Sequence, residues 1–334
     1  MKVAFYDRTG PASEVLQLAD WPDPQPGPGE LRVRLRWSGI NPSDVKSRAG
    51  VRSSVLAYPR IVPHSDGMGV VDAVGAGVDA ARIGQRVWVW NAAWGRAFGT
   101  AAQQVVLPAE QAVPLPDNVA DEAGACLGIP ALTALHAVLL GNANGGGIAG
   151  QRVLVTGGAG AVGHYAVQMA QLLGAQQVIT TTSTPEKAAA ARAAGADATV
   201  DYRQADAAEQ VRQATGGHAI DRVIDMDIGA NAALALELLR PGGDYVVYGS
   251  GASPFSLPFF PLIVKNLNLR FFIVYNLAPA DRSVALATLD ALLRRGRLQH
   301  QIAARLPLAQ IAQAHEQVEQ GRSLGNVVLA IPPA

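Results

Sequence analysis

The chain has 334 residues, with 27 Lys or Arg against 27 Asp or Glu, so its formal net charge at pH 7 is zero. A chain of this length is too long for one hydrophobic core and predicts two domains. The even charge gives no basis for nucleic-acid binding or for an anionic membrane as partner. The single cysteine, Cys126, excludes an internal disulfide and a cysteine-rich zinc cluster.

Neither a membrane span nor a secretory leader is visible in the sequence. No uninterrupted apolar stretch approaches the ~18 residues that a membrane-spanning helix needs. The N-terminal segment Met1–Tyr6 has the pattern of a first β-strand rather than that of a signal peptide. We therefore expect a cytoplasmic protein without a membrane partner.

The first region, residues 1–123, is rich in proline, glycine and short β-like runs. Its segment Pro22–Gly29 is a rigid, turn-rich connector that neither a helix nor a central strand accommodates. The predicted strands of the region are Leu31–Trp37, Val70–Val74, Arg86–Trp90 and Gln103–Leu107. These features predict a β-rich domain with long surface loops.

In the second region, residues 124–265, predicted strands alternate with alanine-rich helices. The predicted strands are Arg152–Thr156, Gln177–Thr181, Ala198–Val200, Arg222–Asp225 and Asp244–Tyr248. The predicted helices between them include Ala188–Ala194 and Ala230–Leu239, the latter ended by Pro241–Gly243. Alternation of this kind predicts an α/β domain with a doubly wound parallel sheet.

The last region, residues 266–334, combines strand and helix patterns. Its predicted elements are a β-like run at Leu269–Tyr275, helices at Arg282–Arg294 and Leu308–Gln320, and a final strand at Asn326–Ile331.

A glycine motif stands where the first strand of the second region ends. The apolar run at 153–156 leads into glycines, and an alanine-rich, helix-like stretch, His164–Leu173, follows. The spacing G-x-G-x-x-G lets the first glycine make a turn, the second admit a pyrophosphate close to the backbone, and the third pack helix against strand. The anion then lies at the positive end of the helix. The alternative is an ordinary glycine-rich turn. The candidate pyrophosphate-binding residues are Gly158, Gly160, Ala161, Val162 and Gly163.

The end of the next predicted strand indicates which dinucleotide binds. Proteins that bind NAD place an Asp or Glu there against the ribose hydroxyls, but no carboxylate occurs between His164 and Pro185. Hydroxyl groups and a cation stand there instead, and these can bind a 2′-phosphate. We therefore predict NADP(H), with Thr182, Ser183 and Lys187 around the phosphate. The alternative is a polar strand end with Lys187 as a solvated charge on a helix.

Five segments, in this order along the chain, resemble the medium-chain dehydrogenase/reductase superfamily. They are Ser38–Gly50, Pro63–Val71, Gly128–Ala134, the glycine motif and Gly325–Leu329. Within the superfamily the chain resembles the zinc-independent, zeta-crystallin-like quinone oxidoreductases. The resemblance implies a GroES-like β-barrel catalytic domain built from both chain ends, residues 1–123 and 266–334, with a Rossmann domain inserted at 124–265.

The positions that bind catalytic zinc in related alcohol dehydrogenases hold other residues here. Those enzymes use a Cys, a His and a second Cys, and the matching positions are Asn41, Ser65 and Ile129. His64 and Cys126 lie near the expected positions but are offset along the chain. The resemblance therefore predicts no metal, with His64 in place of a turn glycine and Cys126 as a small buried residue.

The resemblance also implies roles for side chains outside the glycine motif. Asn41 matches a position that faces nicotinamide and substrate, where it can hydrogen-bond a quinone oxygen, and its alternative role is a turn residue before Pro42. Asp44 is the second candidate catalytic residue, with holding of the loop through Lys46 or Arg48 as the more strongly favoured alternative to proton transfer.

Further candidate cofactor contacts follow from the same resemblance, on both sides of the glycine motif. They are Thr133, Tyr202, Tyr248, Gly249, Ser250, Asn276 and Asn326. Thr133 can equally be a helix-start hydroxyl, and Tyr202 a surface aromatic. Two departures affect the site: Lys46 stands where many members have a tyrosine, and Asn326 stands where a lysine is common.

Together these features predict an NADPH-dependent, metal-free reductase of quinones or activated enones. Such acceptors need only a hydride donor and a proton, whereas alcohol oxidation needs a group that holds an alkoxide, as zinc does. One alternative is an alkenal or enoyl reductase of the same superfamily. Another is a relative that senses NADPH or binds RNA without turnover. A homodimer is implied by the resemblance, with Leu269–Tyr275 as the pairing edge.

Overall fold

The computed structural model describes residues 1–51, 53–141, 147–251 and 253–333. The chain divides into two compact units. The first comprises Met1–Pro130, Leu293–Gly296 and His300–Ala334, and the second comprises Ala131–Leu292 and Arg297–Gln299. In the described ranges, no helix combines the length and the apolar character needed to cross a membrane.

The strands are numbered in chain order. They are β1 Lys2–Phe5, β2 Gln17–Asp20, β3 Glu30–Ile40, β4 Asp66–Val74, β5 Arg86–Val89, β6 Gln104–Pro108, β7 Ala112–Pro114, β8 Arg152–Val155, β9 Gln177–Thr182, β10 Ala198–Asp201, β11 Ile220–Asp225, β12 Leu239–Val247, β13 Asn268–Phe271, β14 Ile302–Pro307 and β15 Asn326–Ala330.

The α-helices are numbered in the same way. They are α1 Ala12–Val15, α2 Pro42–Arg48, α3 Asp121–Gly124, α4 Leu132–Leu139, α5 Ala161–Leu172, α6 Pro185–Ala193, α7 Ala207–Ala214, α8 Ile228–Leu238, α9 Phe259–Val264, α10 Pro279–Arg294 and α11 Ile311–Glu319.

The first unit is built on a mainly antiparallel sheet with the strand order β14-β15-β3-β4-β5-β7, and β6 also pairs with β3. The long strand β3 pairs with β15, so that Gly39 lies opposite Val328, and this pairing joins the N-terminal and C-terminal parts of the chain. Alternating residues of β3, such as Leu31, Val33 and Leu35, are buried in the core. The GroES-like domain that the resemblance implies is confirmed.

The second unit is built on a parallel sheet with the strand order β10-β9-β8-β11-β12-β13. Numbered from its own first strand, β8, this order is 3-2-1-4-5-6, the order of a dinucleotide-binding Rossmann fold. Both faces of the sheet are covered, so residues on both sides of its strands are apolar. The fully buried residues include Leu154, Ile179, Val223 and Tyr245. The predicted α/β class and doubly wound parallel sheet are confirmed.

The boundaries of the units differ from the predicted domain limits at 123 and 265. Strand β13 pairs in parallel with β12, from Asp244 opposite Asn268 to Val247 opposite Phe271, and therefore belongs to the second unit. The predicted β-like run also ends earlier, because Val274–Asn276 forms a 3₁₀ turn. A short apolar run does not reveal which sheet it joins, and its periodicity alone cannot decide this.

The predicted end of α8 was also displaced. The helix ends at Leu238, and Pro241–Gly243 lies inside β12 rather than between helix and strand. A register shift between β11 and β12 accommodates this segment, and Gly242 there has a φ of 69°. The Gly242 N–H bonds to the Lys265 carbonyl at 2.7 Å, so the segment is extended but locally irregular.

Candidate active site

The glycine motif forms the turn between β8 and α5. Gly157, one residue before the motif, has a φ of 69°, a conformation that favours glycine. Gly158, the first glycine of the motif, also lies in this turn. A Cβ at Gly158 would lie 2.1 Å from Thr180 Oγ1, so this glycine also allows close packing of the loop on β9.

The other two motif glycines differ in their surroundings. A Cβ at Gly163 would lie 2.2 Å from the Gly157 carbonyl oxygen, so Gly163 permits close packing between α5 and the loop. At Gly160, the N-cap residue of α5, a Cβ would meet only the Gly157 oxygen at 3.3 Å. The first N–H groups of a helix have no intrahelical acceptor, and at α5 they come from Ala161, Val162 and Gly163. The geometry therefore suits an anion at this helix end.

A buried carboxylate that the sequence analysis did not identify holds the glycine loop. Asp225, at the end of β11, accepts hydrogen bonds from the Thr156 hydroxyl and the Asn231 amide, both at 2.7 Å, and from the Tyr245 hydroxyl at 2.7 Å. The Met226 N–H in turn donates to Thr156 Oγ1 at 3.0 Å. These bonds link the ends of β8 and β11. The feature of the sequence that could have revealed Asp225 is an aspartate at the end of an apolar strand.

The segment after β12 lies beside the end of β11. The Tyr248 N–H donates to the Asp225 carbonyl at 3.1 Å, and a Cβ at Gly249 would lie 2.3 Å from the Met226 carbonyl oxygen. Tyr248, Gly249 and Ser250 are half-buried at this carboxyl edge of the sheet. Asn276, in contrast, is an exposed residue at the end of the 3₁₀ turn.

The predicted phosphate residues stand at the end of β9 and the start of α6. Thr182 is buried and Ser183 is half-buried. Thr184 caps α6 by accepting the Lys187 backbone N–H at 3.2 Å. Within the described ranges the Lys187 ammonium makes no hydrogen bond or ion pair, so its charge is available to an anion.

Two carboxylates lie near this cluster, although no carboxylate occurs between His164 and Pro185. Glu186 lies at the helix start, where its own backbone N–H and the Thr184 hydroxyl lower the pKa of its carboxyl. Asp201 stands opposite Thr182 in the β9–β10 register and binds Arg203 at 2.7 Å, which lowers the pKa of Asp201. Tyr202 is half exposed, and its N–H reaches the Thr182 carbonyl at 3.4 Å.

In the first unit, Asn41 joins β3 to α2. It is the N-cap of α2, and its side chain and that of Asp44 form a capping box, in which the Asp44 carboxylate accepts the Asn41 N–H at 2.8 Å. Both side chains are buried. The turn role before Pro42 and the loop-holding role of Asp44 are therefore visible in the geometry, with Asn41 itself as the partner of Asp44.

Asn41 has a second partner that the sequence analysis missed. Its Nδ2 donates to Asp66 Oδ2 at 2.8 Å, and Asp66 is completely buried at the start of β4. The other oxygen, Asp66 Oδ1, makes no hydrogen bond of good geometry in the described structure. Burial, together with the negative charge of Asp44, holds the pKa of the Asp66 carboxyl well above its usual range, although the Asn41 amide and the Ile129 backbone N–H act to lower it.

The residues at the zinc-matching positions do not fit a zinc ion. Ile129 has no ligand atom, and the Asn41 amide is engaged by Asp66. Burial raises the pKa of the Cys126 thiol, which therefore stays protonated, whereas zinc binds thiolate. In the part of the chain that the structure describes, no three His, Cys, Asp or Glu side chains come together as a metal site.

His64, one position from the matching site, is used elsewhere. Its φ of 77° is the conformation expected of a residue in place of a turn glycine. Its Nδ1 lies 2.8 Å from Ser38 Oγ, and its Nε2 lies 2.8 Å from His315 Nε2. Burial lowers the pKa of both imidazoles, to about 3 for His315. Both ring nitrogens of His64 are therefore occupied by protein contacts.

The two remaining candidate cofactor residues lie in different units. Thr133 is buried in the first turn of α4, which agrees with a helix-start hydroxyl. Asn326 begins β15 and is buried, and its Nδ2 donates to the Gln301 carbonyl at 3.1 Å. Neither position supplies a charge.

Comparison with known proteins identifies the family. Two family models match, the alcohol dehydrogenase GroES-like domain over residues 27–117 and the zinc-binding dehydrogenase domain over residues 161–291. A quinone oxidoreductase from Pseudomonas aeruginosa is 31% identical over 98% of each chain. A 2-haloacrylate reductase from a Burkholderia species is 33% identical over 91% of each chain.

A solved structure agrees over the whole length. A mycobacterial protein complexed with NADPH superimposes with a TM-score of 0.85 at 31% identity, over 99% of each chain. The agreement covers both units of the fold. The chain is an oxidoreductase of the medium-chain dehydrogenase/reductase superfamily and belongs to its zeta-crystallin-like quinone oxidoreductase family.

Proposed function

We propose that this protein reduces quinones or related activated enones by hydride transfer from NADPH, without a metal. The observation that carries the proposal is the set of side chains at Asn41, Ser65 and Ile129, which presents a hydrogen-bonding amide where a zinc dehydrogenase presents metal ligands. The same chain carries a dinucleotide loop with a free lysine close by.

The residues of the second unit fit NADP(H). The helix start at Gly160–Gly163 offers N–H groups to the pyrophosphate, and the missing side chain at Gly160 lets it approach the backbone. Lys187 has no protein partner among the described residues and supplies charge for a 2′-phosphate, with the Thr182 and Ser183 hydroxyls nearby in sequence. The NADPH in the mycobacterial relative supports this assignment.

The side chains of the first unit suit a carbonyl acceptor. Bound NADPH would supply the hydride, which adds to a carbon of the conjugated acceptor and leaves negative charge on the carbonyl oxygen; water supplies the proton that completes the reduction. Asn41 carries N–H groups that can hydrogen-bond this oxygen as the charge develops. Oxidation of an alcohol would require stabilisation of an alkoxide, for which these residues offer no Lewis acid.

An activated alkene is the second candidate acceptor. The 2-haloacrylate reductase relative reduces, by its name, a carbon–carbon double bond conjugated to a carboxylate. An alkenal or enoyl substrate places its carbonyl oxygen in the same electronic role as the oxygen of a quinone. The amide of Asn41 suits both, so the two acceptors have to be separated by kinetics.

The test is NADPH oxidation by the purified full chain with 1,4-benzoquinone and, separately, with a 2-alkenal. We expect turnover with NADPH well above turnover with NADH, and a higher kcat/KM for the quinone. The metal content of the same preparation is measured, and RNA binding is assayed by filter retention. Stoichiometric zinc, alcohol-dependent reduction of NADP⁺, or RNA binding without turnover would overturn the proposal.

A further inference from the structure

Each end of the Asn41 amide has one hydrogen-bond partner within the first unit. In the capping box, the Asn41 side chain accepts the backbone N–H of Asp44, which occupies the amide oxygen. One N–H of Nδ2 donates to Asp66 at 2.8 Å. An amide has two N–H donors and an oxygen with two lone pairs, so one N–H and one lone pair have no partner among the described residues.

These two partners also determine which way round the amide stands. A flipped amide would place its NH₂ group against the Asp44 N–H, so that two donors would face each other. It would also turn the amide oxygen toward Asp66 and lose the Nδ2–Oδ2 bond. The amide is therefore held with its oxygen at the Asp44 N–H and its Nδ2 at Asp66, which fixes the direction of the remaining N–H.

Burial of the Asp66 carboxyl group at this position is unfavourable for the stability of the fold. The group is completely buried, and its Oδ1 makes no hydrogen bond of good geometry in the described structure. A buried polar atom without a good hydrogen bond destabilises the folded state. The backbone is shaped around this atom, because a Cβ at Gly128 would lie 2.3 Å from Oδ1. Stability alone does not account for a carboxyl group here, since an apolar side chain would avoid this cost.

We propose that Asp66 is a positioning residue that orients the Asn41 amide, so that the remaining Nδ2–H is the donor to the carbonyl oxygen of the substrate. The inference rests on the proposed function, because it takes Asn41 as the group that meets this oxygen. It adds that Asp66 acts through its oxygen as an acceptor and not through a negative charge. The raised pKa of Asp66 agrees in direction with a role that needs no charge.

The arrangement would act in the transition state more than in substrate binding. Negative charge on the carbonyl oxygen grows as the hydride adds, and a fixed donor stabilises that charge without reorganising. Removing one such donor costs about 10²–10³ in kcat in well-studied enzymes. Removal of Asp66 leaves the donor present but free to rotate, so the expected loss is smaller.

The test is a double-mutant cycle on kcat with NADPH and 1,4-benzoquinone. We expect D66A and N41A each to lower kcat at least ~10-fold with the KM for NADPH unchanged. In the N41A background, D66A should change kcat by less than about 2-fold, because its effect passes through Asn41. D66N, which keeps an acceptor oxygen without a charge, should retain kcat within about 3-fold of wild type.

The control is D72N, which removes a carboxylate from the same strand, where Asp72 binds Arg32 at 2.8 Å; its kcat should equal that of wild type. If D66A does not fold, D66S replaces it, since its shorter side chain cannot reach Asn41. Additive losses in the cycle, or D66N as damaging as D66A, would overturn the inference alone. A wild-type protein without NADPH-dependent turnover would overturn the proposed function and this inference with it.

Discussion

At the scale of single residues, we propose that the choice between NADPH and NADH depends on Lys187. Its ammonium has no partner among the described residues, whereas nearby Arg203 is bound to Asp201 by contacts of 2.7 and 2.9 Å. The carboxylate of Glu186 faces the helix start and its own N–H. Lys187 is therefore the cation of this cluster that a 2′-phosphate can engage without displacing a carboxylate.

We predict that Lys187→Ala raises the KM for NADPH at least tenfold and leaves the KM for NADH nearly unchanged. The reason is that the 2′-phosphate, which only NADPH carries, loses its charge partner. Steady-state kinetics with both cofactors measure the effect, and Arg192→Ala, at the other end of α6, is the control. Equal changes for both cofactors would rule out the phosphate assignment.

At the scale of an element, the glycines of the turn between β8 and α5 differ in how much space a side chain would have. A methyl group added at Gly158 would lie 2.1 Å from an atom of β9, and one added at Gly163 would lie 2.2 Å from an atom of the loop itself. A Cβ at Gly160 would meet only the Gly157 oxygen, at 3.3 Å, and the φ of −80° there is one that any residue tolerates. Packing therefore requires glycine at 158 and 163 more strictly than at 160, and we propose that Gly160 serves the ligand.

We predict that Gly163→Ala lowers the unfolding midpoint by several degrees, because the added methyl group must displace the Gly157 carbonyl. Gly160→Ala should leave that midpoint nearly unchanged but raise the Kd for NADPH at least tenfold, because its methyl group fills the approach of the pyrophosphate. Thermal unfolding without cofactor and titration calorimetry distinguish the two variants. A Gly160→Ala protein with normal NADPH affinity would contradict the role given to this residue.

At the scale of the whole molecule, the stability depends on buried groups that must stay neutral. His64 and His315 are fully buried and contact each other, with the Arg48 guanidinium close to His315 and paired with Glu319. The unfolded chain takes up protons on these imidazoles below pH 6.5, whereas the folded His315 does so only near pH 3. Their contribution to stability is therefore complete above pH 6.5 and is lost as the pH falls below it.

We predict that the free energy of unfolding falls between pH 6.5 and pH 4.5, by up to about 1.4 kcal/mol per pH unit for each buried histidine. His315→Gln should reduce this slope by about one proton. Denaturant unfolding at a series of pH values measures the slope. Asp66 acts in the opposite direction, since its raised pKa favours the folded state at lower pH. A slope unaffected by the substitution would exclude His315 as the source.

The assembly of the molecule is a second property at this scale. Strand β13 lies at the edge of the parallel sheet, and Phe271 on it is 56% exposed, close to the exposed Phe259 and Phe260 in the sequence. An exposed strand edge with apolar side chains pairs readily with a second copy. We predict a homodimer through β13.

We expect Phe271→Lys to convert this dimer into monomers, because two lysines would face each other across the paired edges. Val284→Lys is the matched control, since Val284 is also 56% exposed but belongs to the helix α10 and not to β13. Sedimentation velocity measures the mass of each variant. A wild-type chain that sediments as a monomer at micromolar concentration would refute the prediction.

The sequence alone determined a β-rich region, a doubly wound parallel sheet and the cofactor class, and the resemblance added the GroES-like fold. Strand runs, alanine-rich helices and the spacing of Gly158, Gly160 and Gly163 are properties of neighbouring residues, whereas the strand order of the second unit came from the structure. The residues at the zinc-matching positions were likewise visible from the chain, through Asn41, Ser65 and Ile129.

Only the tertiary structure decided which residues support those that the motifs indicate. Asp66 meets Asn41 across 25 positions, and Asp225 meets Thr156 across 69, so no local pattern links either pair. The same holds for β13, which sheet pairing places in the second unit. Buried polar contacts and strand pairing depend on distances in the folded chain, and a sequence motif contains only distances along it.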